Sequence, residues 1–427
     1  MRAPKVVDVA VVGGGAAGRA LCAALGSDPS LRGLVVASLE KDAANGRGKG
    51  PVPSSTPSMD ARVVALSPTS VSFLDRIGAW SRVPVAKRHS YSRMLVEDGG
   101  AGGGTPMRFG SKGSTKGLGV IAELSAVVDA LGDVMGDGGG GQGAQVHRWS
   151  GVEARYVGHD AAGATLEVAE DDKSVQSTLL RARLVVGADG PGSRVRKGAG
   201  FGLGVDQVYG QTAVVCGVDL EEASDTAFQV FLPRSGPLAV LPYTGQRAVV
   251  VWTLPDAEAK RVRALGDGEL GEEIKRVVEK YKGFPRVRGV IAGSKGGFPL
   301  KVQVAGRFQC GEKRVALVGD AAHVVHPLAG QGLNLGMHDV ETLADAIRDD
   351  VLVGEDVGEG EHLRRWGRQR LHANVAAAAA IHGIGEAFKS DALPVVVARK
   401  LAMAAVDRIG PLNRLVTRSA AHSGLTW

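Results

Sequence analysis

The sequence contains little cysteine, few aromatic residues and no long apolar run. Its cysteines, Cys22, Cys216 and Cys310, lie far apart in 427 residues, which excludes a disulfide framework and indicates a reducing compartment. Aromatic residues make up 4%, without the interleaved basic and aromatic pattern of nucleic-acid-binding proteins. The longest charge-free run, residues 321–338, holds three histidines and several glycines, so it does not read as a transmembrane helix.

The N-terminus bears on which targeting peptides the chain carries, and the charge distribution bears on which partners it contacts. The first residues, MRAPKVV, lead straight into an apolar strand, so we expect neither a signal peptide nor room for a transit peptide. The net charge of +6 resides in residues 361–427, which carry ten Lys or Arg against four acids. This basic region predicts either contact with an anionic membrane or acidic partner, or a solvated helical face that covers another domain.

Hydrophobic periodicity and turn residues predict alternating strands and helices. We expect a β-α-β unit over residues 6–40 and helices at 68–80, near 120–132, at 268–281, at 333–350 and within 360–420. Strands are expected through residues 145–185, 206–255 and 285–304. At this length the chain suits two or three domains.

A glycine-rich turn follows the first apolar run. Gly13, Gly15 and Gly18 fit G-x-G-x-x-G, a pattern in which the glycines permit a tight turn, close approach of a pyrophosphate, and close packing of helix on strand. Glu40 ends a second apolar run 22 residues after Gly18, near the roughly 20-residue spacing of the acid that binds a ribose hydroxyl. The segment predicts a dinucleotide site, although a glycine pattern alone is weak evidence in a glycine-rich chain.

Two later junctions also place an acid after an apolar run. Asp189 and Gly190 follow one run, and Asp320 follows another, before a turn that contains Gly330 and Gly332. An acid there accepts hydrogen bonds from hydroxyl groups, and the N-terminus of the next helix favours electron-rich groups. Each junction alone also fits an ordinary strand-to-helix connection. Together with the first motif, they predict a site for a polyol phosphate that carries a flat polar ring.

Three motifs in this order resemble the flavin-dependent aromatic hydroxylases, the group that includes para-hydroxybenzoate hydroxylase. The resemblance implies an α/β fold with a Rossmann-like βαβ FAD-binding domain, an inserted β-sheet substrate domain and C-terminal helices. It implies a discontinuous FAD-binding domain at residues 1–80, 115–200 and 305–350, a substrate domain at 81–114 and 201–304, and a basic helical region at 355–427.

Four segments narrow the resemblance to the ring hydroxylases of ubiquinone biosynthesis, and within them to the mitochondrial enzymes. They are HPLAGQGLN at 326–334, DARVVALSPTSVSFLDRIGAW at 60–80, FLPRSGPLAVLP at 231–242 and WGRQRLHAN at 366–374. The chain departs from this branch at one position. Glu123 is followed by Leu124 where the branch usually has asparagine, which removes one expected polar contact to the flavin.

The resemblance implies a set of FAD-binding residues. They are Gly13, Gly15, Gly18, Glu40, Arg62, Asp189, Gly190, Asp320, Pro327, Gly330, Gln331, Gly332 and Asn334. His326 is a candidate catalytic group because it adjoins the turn expected at the flavin, and the base that deprotonates the substrate is not identified. Three histidines lie close together at 323–338, but no Cys or acid joins them at ligand spacing, so we expect no metal site.

The resemblance also implies a function. The expected reaction is FAD-dependent hydroxylation of a polyprenylated phenol in ubiquinone biosynthesis, through a flavin C4a-hydroperoxide, with NADPH or ferredoxin as electron donor. The expected setting is a biosynthetic protein complex on the matrix side of the mitochondrial inner membrane or, in a bacterium, on the cytoplasmic face of the membrane.

Other functions of the same fold remain as alternatives. They are an isoprenoid or other flavin reductase, and a non-catalytic flavin-stabilised scaffold of the biosynthetic complex. A flavin halogenase is disfavoured because the five tryptophans are isolated and form no W-x-W-x-I-P signature. A plain NAD dehydrogenase is disfavoured further, since it would leave the junction at Asp320 without a function.

Overall fold

The computed structural model describes residues 5–41, 59–100, 105–110, 117–136, 142–170, 177–233, 235–326, 331–409 and 413. Within these ranges the strands are β1 (Val6–Val12), β2 (Val35–Glu40), β3 (Val63–Leu66), β4 (Arg88–Tyr91), β5 (Arg93–Asp98), β6 (Met107–Phe109), β7 (Gly119–Glu123), β8 (Gln145–Ser150), β9 (Val152–Asp160), β10 (Gly163–Glu170), β11 (Thr178–Gly187), β12 (Leu203–Leu220), β13 (Thr226–Leu232), β14 (Gly236–Pro242), β15 (Arg247–Pro255), β16 (Val287–Val290), β17 (Gly296–Ala305), β18 (Gln309–Cys310), β19 (Val315–Leu317) and β20 (His323–Val324). The α-helices are α1 (Ala16–Ser27), α2 (Pro68–Arg76), α3 (Leu124–Gly136), α4 (Arg194–Gly198), α5 (Asp256–Ala264), α6 (Asp267–Val278), α7 (Gln331–Leu352), α8 (Glu361–Lys389) and α9 (Leu393–Arg408).

Parallel strands form the centre of the first sheet, in the order β19-β11-β1-β2-β8. The apolar strand β1 is buried over most of its length, as expected of a central parallel strand that is covered on both faces. Antiparallel pairing adds β18 beside β19, β10 beside β11, and β9 beside β10. The carboxyl ends of β1, β2, β11 and β19 meet at one edge, where ligands bind in open α/β sheets.

A second, mainly antiparallel sheet has the strand order β20-β17-β12-β15-β14-β13-β5-β6, with β16 beside β12. Strands β5 and β13 pair in parallel although they lie far apart in the chain. Helices α5 and α6 cover this sheet through an apolar core that includes Val214, Trp252 and Leu270. Strands β3, β7 and β4 form a third, small sheet.

Helix α7 packs against α1 and α8 and contacts the turn at Gly319–Ala321 that follows β19. Helix α2 begins at Pro68 because Ser67 caps it, accepting a hydrogen bond from the Ser70 N–H at 3.2 Å, and proline suits the first helical position. Among the described helices, none is both long enough and apolar enough to cross a bilayer.

Most predicted elements are present, and one is wrong at its start. The β-α-β unit over residues 6–40 is confirmed, and α7, α8 and α9 fill most of the C-terminal region expected to be helical. The helix expected near 120–132 begins only at Leu124, because residues 119–123 form β7, which pairs with both β3 and β4. The domain boundaries stay predictions, and β20, inside the expected 305–350 segment, pairs with β17 of the second sheet.

Candidate active site

Three of the predicted junctions lie side by side at the carboxyl edge of the parallel sheet. The backbone N–H of Gly13 donates to the end of β2 at 2.9 Å, and that of Ala188 donates to the end of β1 at 2.8 Å. The N–H of Val318 donates to the end of β11 at 3.0 Å. These hydrogen bonds continue the parallel ladders beyond the strands, so that residues distant in sequence share one edge.

The glycines of the first turn meet different constraints. Gly13 has φ +126°, and a Cβ there would lie 2.2 Å from the Ala188 carbonyl oxygen. A Cβ at Gly18 would lie 2.0 Å from the Gly13 carbonyl oxygen, so helix and strand approach too closely for any side chain. A Cβ at Gly15 meets nothing within 4 Å. The turn therefore leaves open space beside the N-terminus of α1, where a bound anion is favoured.

Glu40 is buried and already paired. Its side chain is 1% exposed, and its Oε2 atom accepts hydrogen bonds from Arg19 at 2.9 Å and from Arg148 at 2.8 Å. Its Oε1 atom accepts from Arg148 Nε at 3.1 Å. Two guanidinium groups thus compensate the buried charge, and a ribose hydroxyl would have to share these carboxylate oxygens.

Asp189 shapes the second junction. Its carboxylate accepts from two backbone N–H groups at the start of α4, at 2.6 and 3.2 Å, and from the Ser193 hydroxyl. Gly190 follows with φ +80° and open space at its Cβ position. The buried Arg196 donates to the Ala321 carbonyl at 2.7 Å and so ties this junction to the third one.

Asp320 differs from the other two acids because it has no partner. Its side chain is exposed, and among the described residues no hydrogen bond or ion pair reaches its carboxylate. Loss of water around it raises the pKa of Asp320, and the charges of His323 and Lys301 partly oppose this rise. An exposed carboxylate without a partner among the described residues can accept hydrogen bonds from a ligand.

Comparison with known proteins identifies the family. A model of the FAD binding domain family matches residues 6–360. The ubiquinone hydroxylase UbiL of Rhodospirillum rubrum is 32% identical over an alignment that covers 98% of this chain and 90% of UbiL. The chain belongs to the FAD-dependent ubiquinone hydroxylases.

Two further similarities agree with this family. The ubiquinone biosynthesis monooxygenase COQ6 of Xenopus tropicalis is 29% identical, covering 98% of this chain and 94% of COQ6. The p-nitrophenol 4-monooxygenase PnpA of Pseudomonas putida shares the fold, with a TM-score of 0.72 at 19% identity and 98% coverage of both chains. The predicted α/β fold, the cofactor FAD and the class of enzyme, an FAD-dependent monooxygenase, are confirmed.

The geometry of the edge fits FAD. Open space beside Gly15 suits the close approach of a pyrophosphate to backbone N–H groups. The unpartnered carboxylate of Asp320 suits the hydroxyl groups of a polyol chain. The FAD-binding roles of individual residues at this edge stay predictions, since a residue's position alone does not show what it binds.

Other predicted FAD-binding residues occupy different settings. Pro327 and Gly330 lie outside the described residues, whereas Gln331 and Gly332 begin α7. Asn334 is buried, and its amide donates to the Ala65 carbonyl at 2.7 Å and accepts from Ser67 and Ser70. These contacts hold α7 against the start of α2, and the FAD-binding role of Asn334 stays a prediction.

Arg62 lies just before β3, next to the departure at residue 124, and its FAD-binding role stays a prediction. Its exposed guanidinium pairs with Asp60 at 3.1 Å. Its carbonyl oxygen accepts from the backbone N–H of Leu124 at 2.9 Å. The side chain of Leu124 packs against the main apolar core, whereas Glu123 accepts from the Tyr243 hydroxyl at 2.9 Å. The departure therefore replaces a polar side chain by an apolar one at the start of α3.

His326 lines a narrow pocket between the second sheet and α8. The pocket has apolar walls, including Phe231 and Phe388, whose rings stack 3.8 Å apart. Burial, aided by the charge of Lys389, lowers the pKa of His326 to about 4, so the imidazole is neutral at pH 7. The Tyr209 ring meets the His326 ring edge-on at 5.3 Å.

Two polar atoms in this pocket have no hydrogen-bond partner among the described residues. They are Oε1 of Gln211 and Nδ1 of His326, both buried. The Gln211 amide is held by its Nε2, which donates to the Ser235 carbonyl at 2.7 Å. Buried polar atoms usually have partners, so these two atoms point to a polar ligand group.

The sequence did not reveal several residues at the site. They are Asp339, Arg370 and Asn374 behind the third junction, Arg19 and Arg148 around Glu40, and Tyr209, Gln211 and His382 in the pocket. The resemblance over 366–374 was the available signal for Arg370 and Asn374. No group of three or more His, Cys, Asp or Glu in the described ranges could hold a metal ion.

Proposed function

We propose that this protein hydroxylates the aromatic ring of a polyprenylated phenol in ubiquinone biosynthesis, with FAD at the sheet edge. The pocket beside His326 carries this proposal, because it combines apolar walls with two unpartnered buried polar atoms. An apolar arene with oxygen substituents matches both properties, and because the accessible volume is about 20 Å³, the stacked Phe231 and Phe388 rings must separate to admit it. The names of UbiL and COQ6 support the same substrate class.

Side chains of this protein would hold the cofactor. The turn at Gly13–Gly18 would receive the pyrophosphate, and Asp320 would accept hydrogen bonds from the ribityl hydroxyls. Asp189 and Gly190 would border the same edge. FAD supplies the two-electron redox chemistry and the activation of oxygen, which no side chain provides.

The pocket residues would orient the ring and exclude water. The stacked Phe231 and Phe388 rings close one side. His326 would hydrogen-bond a ring oxygen through Nδ1, and a group with a pKa of about 4 is too weak a base to remove a phenolic proton at pH 7. Its proposed role is therefore orientation of the ring.

Tyr209 and His382 form a proposed route for a substrate proton from the pocket to the solvent. The Tyr209 hydroxyl lies 3.3 Å from Nδ1 of His382, and the His382 side chain is partly exposed. Burial and the charge of Glu386 raise the pKa of Tyr209, so the phenol stays protonated and can both donate and accept. We assign proton transfer from the substrate to this pair.

Single-turnover oxidation tests the reaction. Reduced protein is mixed with a prenylated phenol and then with ¹⁸O₂, and the product is analysed by mass spectrometry. A ring hydroxylase adds one labelled oxygen atom. A reductase forms its product without oxygen, and a scaffold forms none, so either result rejects the proposal. Reduction of the bound flavin by NADPH alone, or only with a ferredoxin, identifies the electron donor.

The pocket has its own test. Gln211→Leu should raise the substrate concentration needed for half-maximal rate by about tenfold, the value of one hydrogen bond to a buried group, without changing the affinity for FAD. Gln303→Leu, at a surface pair with Asp206, is the control. Equal substrate affinity in Gln211→Leu and wild type contradicts the placement of the ring.

The C-terminal helix supports a peripheral membrane location. Leu393, Val397 and Leu401 are spaced four residues apart on α9 and are 74%, 46% and 66% exposed, next to a basic region. Such a stripe fits the surface of an anionic bilayer. The proposed locations are the matrix side of the mitochondrial inner membrane or the cytoplasmic face of a bacterial membrane, in a biosynthetic complex.

Vesicle co-sedimentation tests this location. Leu393→Glu combined with Leu401→Glu should reduce binding to vesicles that contain anionic phospholipid, because two carboxylates replace apolar side chains at the bilayer surface. Leu179→Glu, at an exposed leucine of β11, should bind like wild type. Unchanged sedimentation of the double variant rejects α9 as the contact.

A further inference from the structure

Helix α7 carries two carboxylates that solvent does not reach, Asp339 and Asp350. They are eleven residues apart, about three helical turns, and both contact α8. Asp350 accepts from the backbone N–H groups of His362 and Leu363 at 2.9 and 3.0 Å, which caps α8. Of the two, only Asp339 also contacts the junction that carries Asp320.

Asp339 joins that junction to α8 through four hydrogen bonds. Its Oδ2 atom accepts from the Gly319 N–H at 3.2 Å and from His323 Nε2 at 2.6 Å. Its Oδ1 atom accepts from Arg370 Nε at 2.8 Å and from Asn374 Nδ2 at 3.1 Å. Oδ2 therefore accepts hydrogen bonds from the junction, and Oδ1 accepts them from α8.

The charge of Asp339 is maintained in the interior. Burial alone would raise the pKa of Asp339, but the charges of His323 and Arg370 hold it at about 2. The carboxylate is thus ionised at neutral pH. Hydrogen bonds to an ionised acceptor are shorter and stronger than neutral ones, so they hold the groups that donate them in place.

The backbone at Gly319 has little room on either side. Gly319 has φ +58°, and a Cβ there would lie 3.0 Å from the Ala17 side chain of α1. On the other side, the backbone of Gly319 faces Gly336 of α7, where a Cβ would lie 3.2 Å from the Gly319 Cα. The residue that follows this confined peptide is Asp320, whose exposed carboxylate has no partner among the described residues.

We propose that Asp339 is a positioning residue for FAD, because its carboxylate holds the Gly319–His323 segment in place and couples it to Arg370 and Asn374 of α8. The affinity for FAD then depends on α8 through Asp339. Since the far end of α8 lines the pocket beside His326, one helix supports both the cofactor edge and the pocket. This inference uses the membership of the FAD-dependent family and is independent of the substrate.

Titration of purified apo-protein with FAD, followed by flavin fluorescence, tests the proposal. Asp339→Asn should raise the dissociation constant at least about tenfold, the equivalent of one charge-assisted hydrogen bond. Asp350→Asn is the matched control, since it removes an equally buried charge from the same helix. Its dissociation constant should stay within about twofold of wild type, although both variants lower the melting temperature of the apo-protein.

Two results contradict the proposal. One is an unchanged dissociation constant in folded Asp339→Asn protein. The other is an equal loss of FAD affinity in Asp350→Asn, which would mean that general destabilisation, and not the contact with Gly319, weakens binding.

A double-mutant cycle tests the route through Asp320. If Asp339 acts by orienting that carboxylate, Asp339→Asn should weaken FAD binding at most about threefold in an Asp320→Ala background, because coupled residues are not additive. The same fold-change in both backgrounds overturns this route.

A milder change covers the case in which Asp339→Asn does not fold. Asn374→Leu removes one donor from the α8 side and leaves the carboxylate with three. We expect the dissociation constant for FAD to rise about threefold. Wild-type affinity in this folded variant rejects the dependence on α8.

Discussion

Two acids at the same sheet edge, Glu40 at the end of β2 and Asp320 after β19, have opposite surroundings. Glu40 is 1% exposed and bound by Arg19 and Arg148. Asp320 is exposed, and no described residue pairs with its carboxylate. In sequence both are an acid at the end of an apolar strand, and a parallel sheet brings both to one edge.

The two acids therefore share a position at the sheet edge but differ in whether their carboxylates are available to a ligand. The partners of Glu40 come from α1 and from β8, the latter 108 residues away, and they compensate a charge that the interior could not otherwise hold. Asp320 has only the nearby charges of His323 and Lys301. We therefore expect Glu40 to contribute mainly to stability and Asp320 mainly to cofactor affinity.

The largest effect is expected at Glu40. Glu40→Gln leaves two guanidinium groups without their shared carboxylate, so the free energy of unfolding of the apo-protein should fall by about 3 kcal/mol. Chemical denaturation measures it. Glu167→Gln, which breaks a pair with the exposed Arg155, is the control and should cost less than about 1 kcal/mol. Equal losses in the two variants would remove the distinction between the two acids.

At Asp320 the effect should appear in binding. Asp320→Ala removes charged acceptors for cofactor hydroxyls, which corresponds to about 1.5–3 kcal/mol, or roughly 10- to 100-fold in the dissociation constant for FAD. The stability of the apo-protein should change little, because this carboxylate has no partner to lose. Asp219→Ala, at an exposed acid of β12, is the control. Full flavin occupancy at low FAD concentration would contradict the assignment.

Burial also changes the behaviour of a basic side chain close to Asp320 in the sequence, that of His326. The pKa of His326 is lowered to about 4 by burial, against about 6.5 in the unfolded chain. The unfolded state takes up a proton first, so stability is full above pH 6.5 and falls as pH drops toward 4. The loss should be on the order of 1–2 kcal/mol near pH 5. Denaturation across this range should show a smaller loss in His326→Gln, and an identical pH profile would contradict the neutral imidazole.

The smallest expected effect is the pH dependence of FAD binding. Poor hydration raises the pKa of Asp320 above its usual value of about 4, and bound hydroxyl groups favour the ionised form. Protons therefore compete with FAD, so affinity should fall severalfold as pH drops through that raised pKa. Titrations of Asp320→Asn should show a flatter profile. If the wild type binds FAD equally well throughout, the carboxylate is not the acceptor.

Local patterns predicted the parts of the fold that depend on near neighbours. The β-α-β unit over residues 6–40 follows from apolar runs and glycine spacing, and it is present. The helix predicted near 120–132 is wrong at its start because β7 forms only when β3 and β4 supply partners from elsewhere in the chain. Strand β5 likewise depends on parallel pairing with the distant β13.

The candidate site likewise contains residues that local patterns predict and contacts that they do not. Gly13 and Gly18 could be predicted because their backbone geometry follows from the turn and the helix that contain them. The contacts of Asn334 with Ala65 and Ser67 join segments more than 260 residues apart, and no local pattern reports them. Pro327 and Gly330 stay predictions outside the described residues.

The amino-acid sequence by itself determined which strands end in glycines and acids, because hydrophobic runs and turn residues act over a few positions. Tertiary structure decided which acids remain available. Only folding brings Arg19 and Arg148 to Glu40, and Arg370 and Asn374 to Asp339, while Asp320 stays exposed. Electrostatic pairing depends on distances in space, and these distances do not follow from the order of residues in the chain.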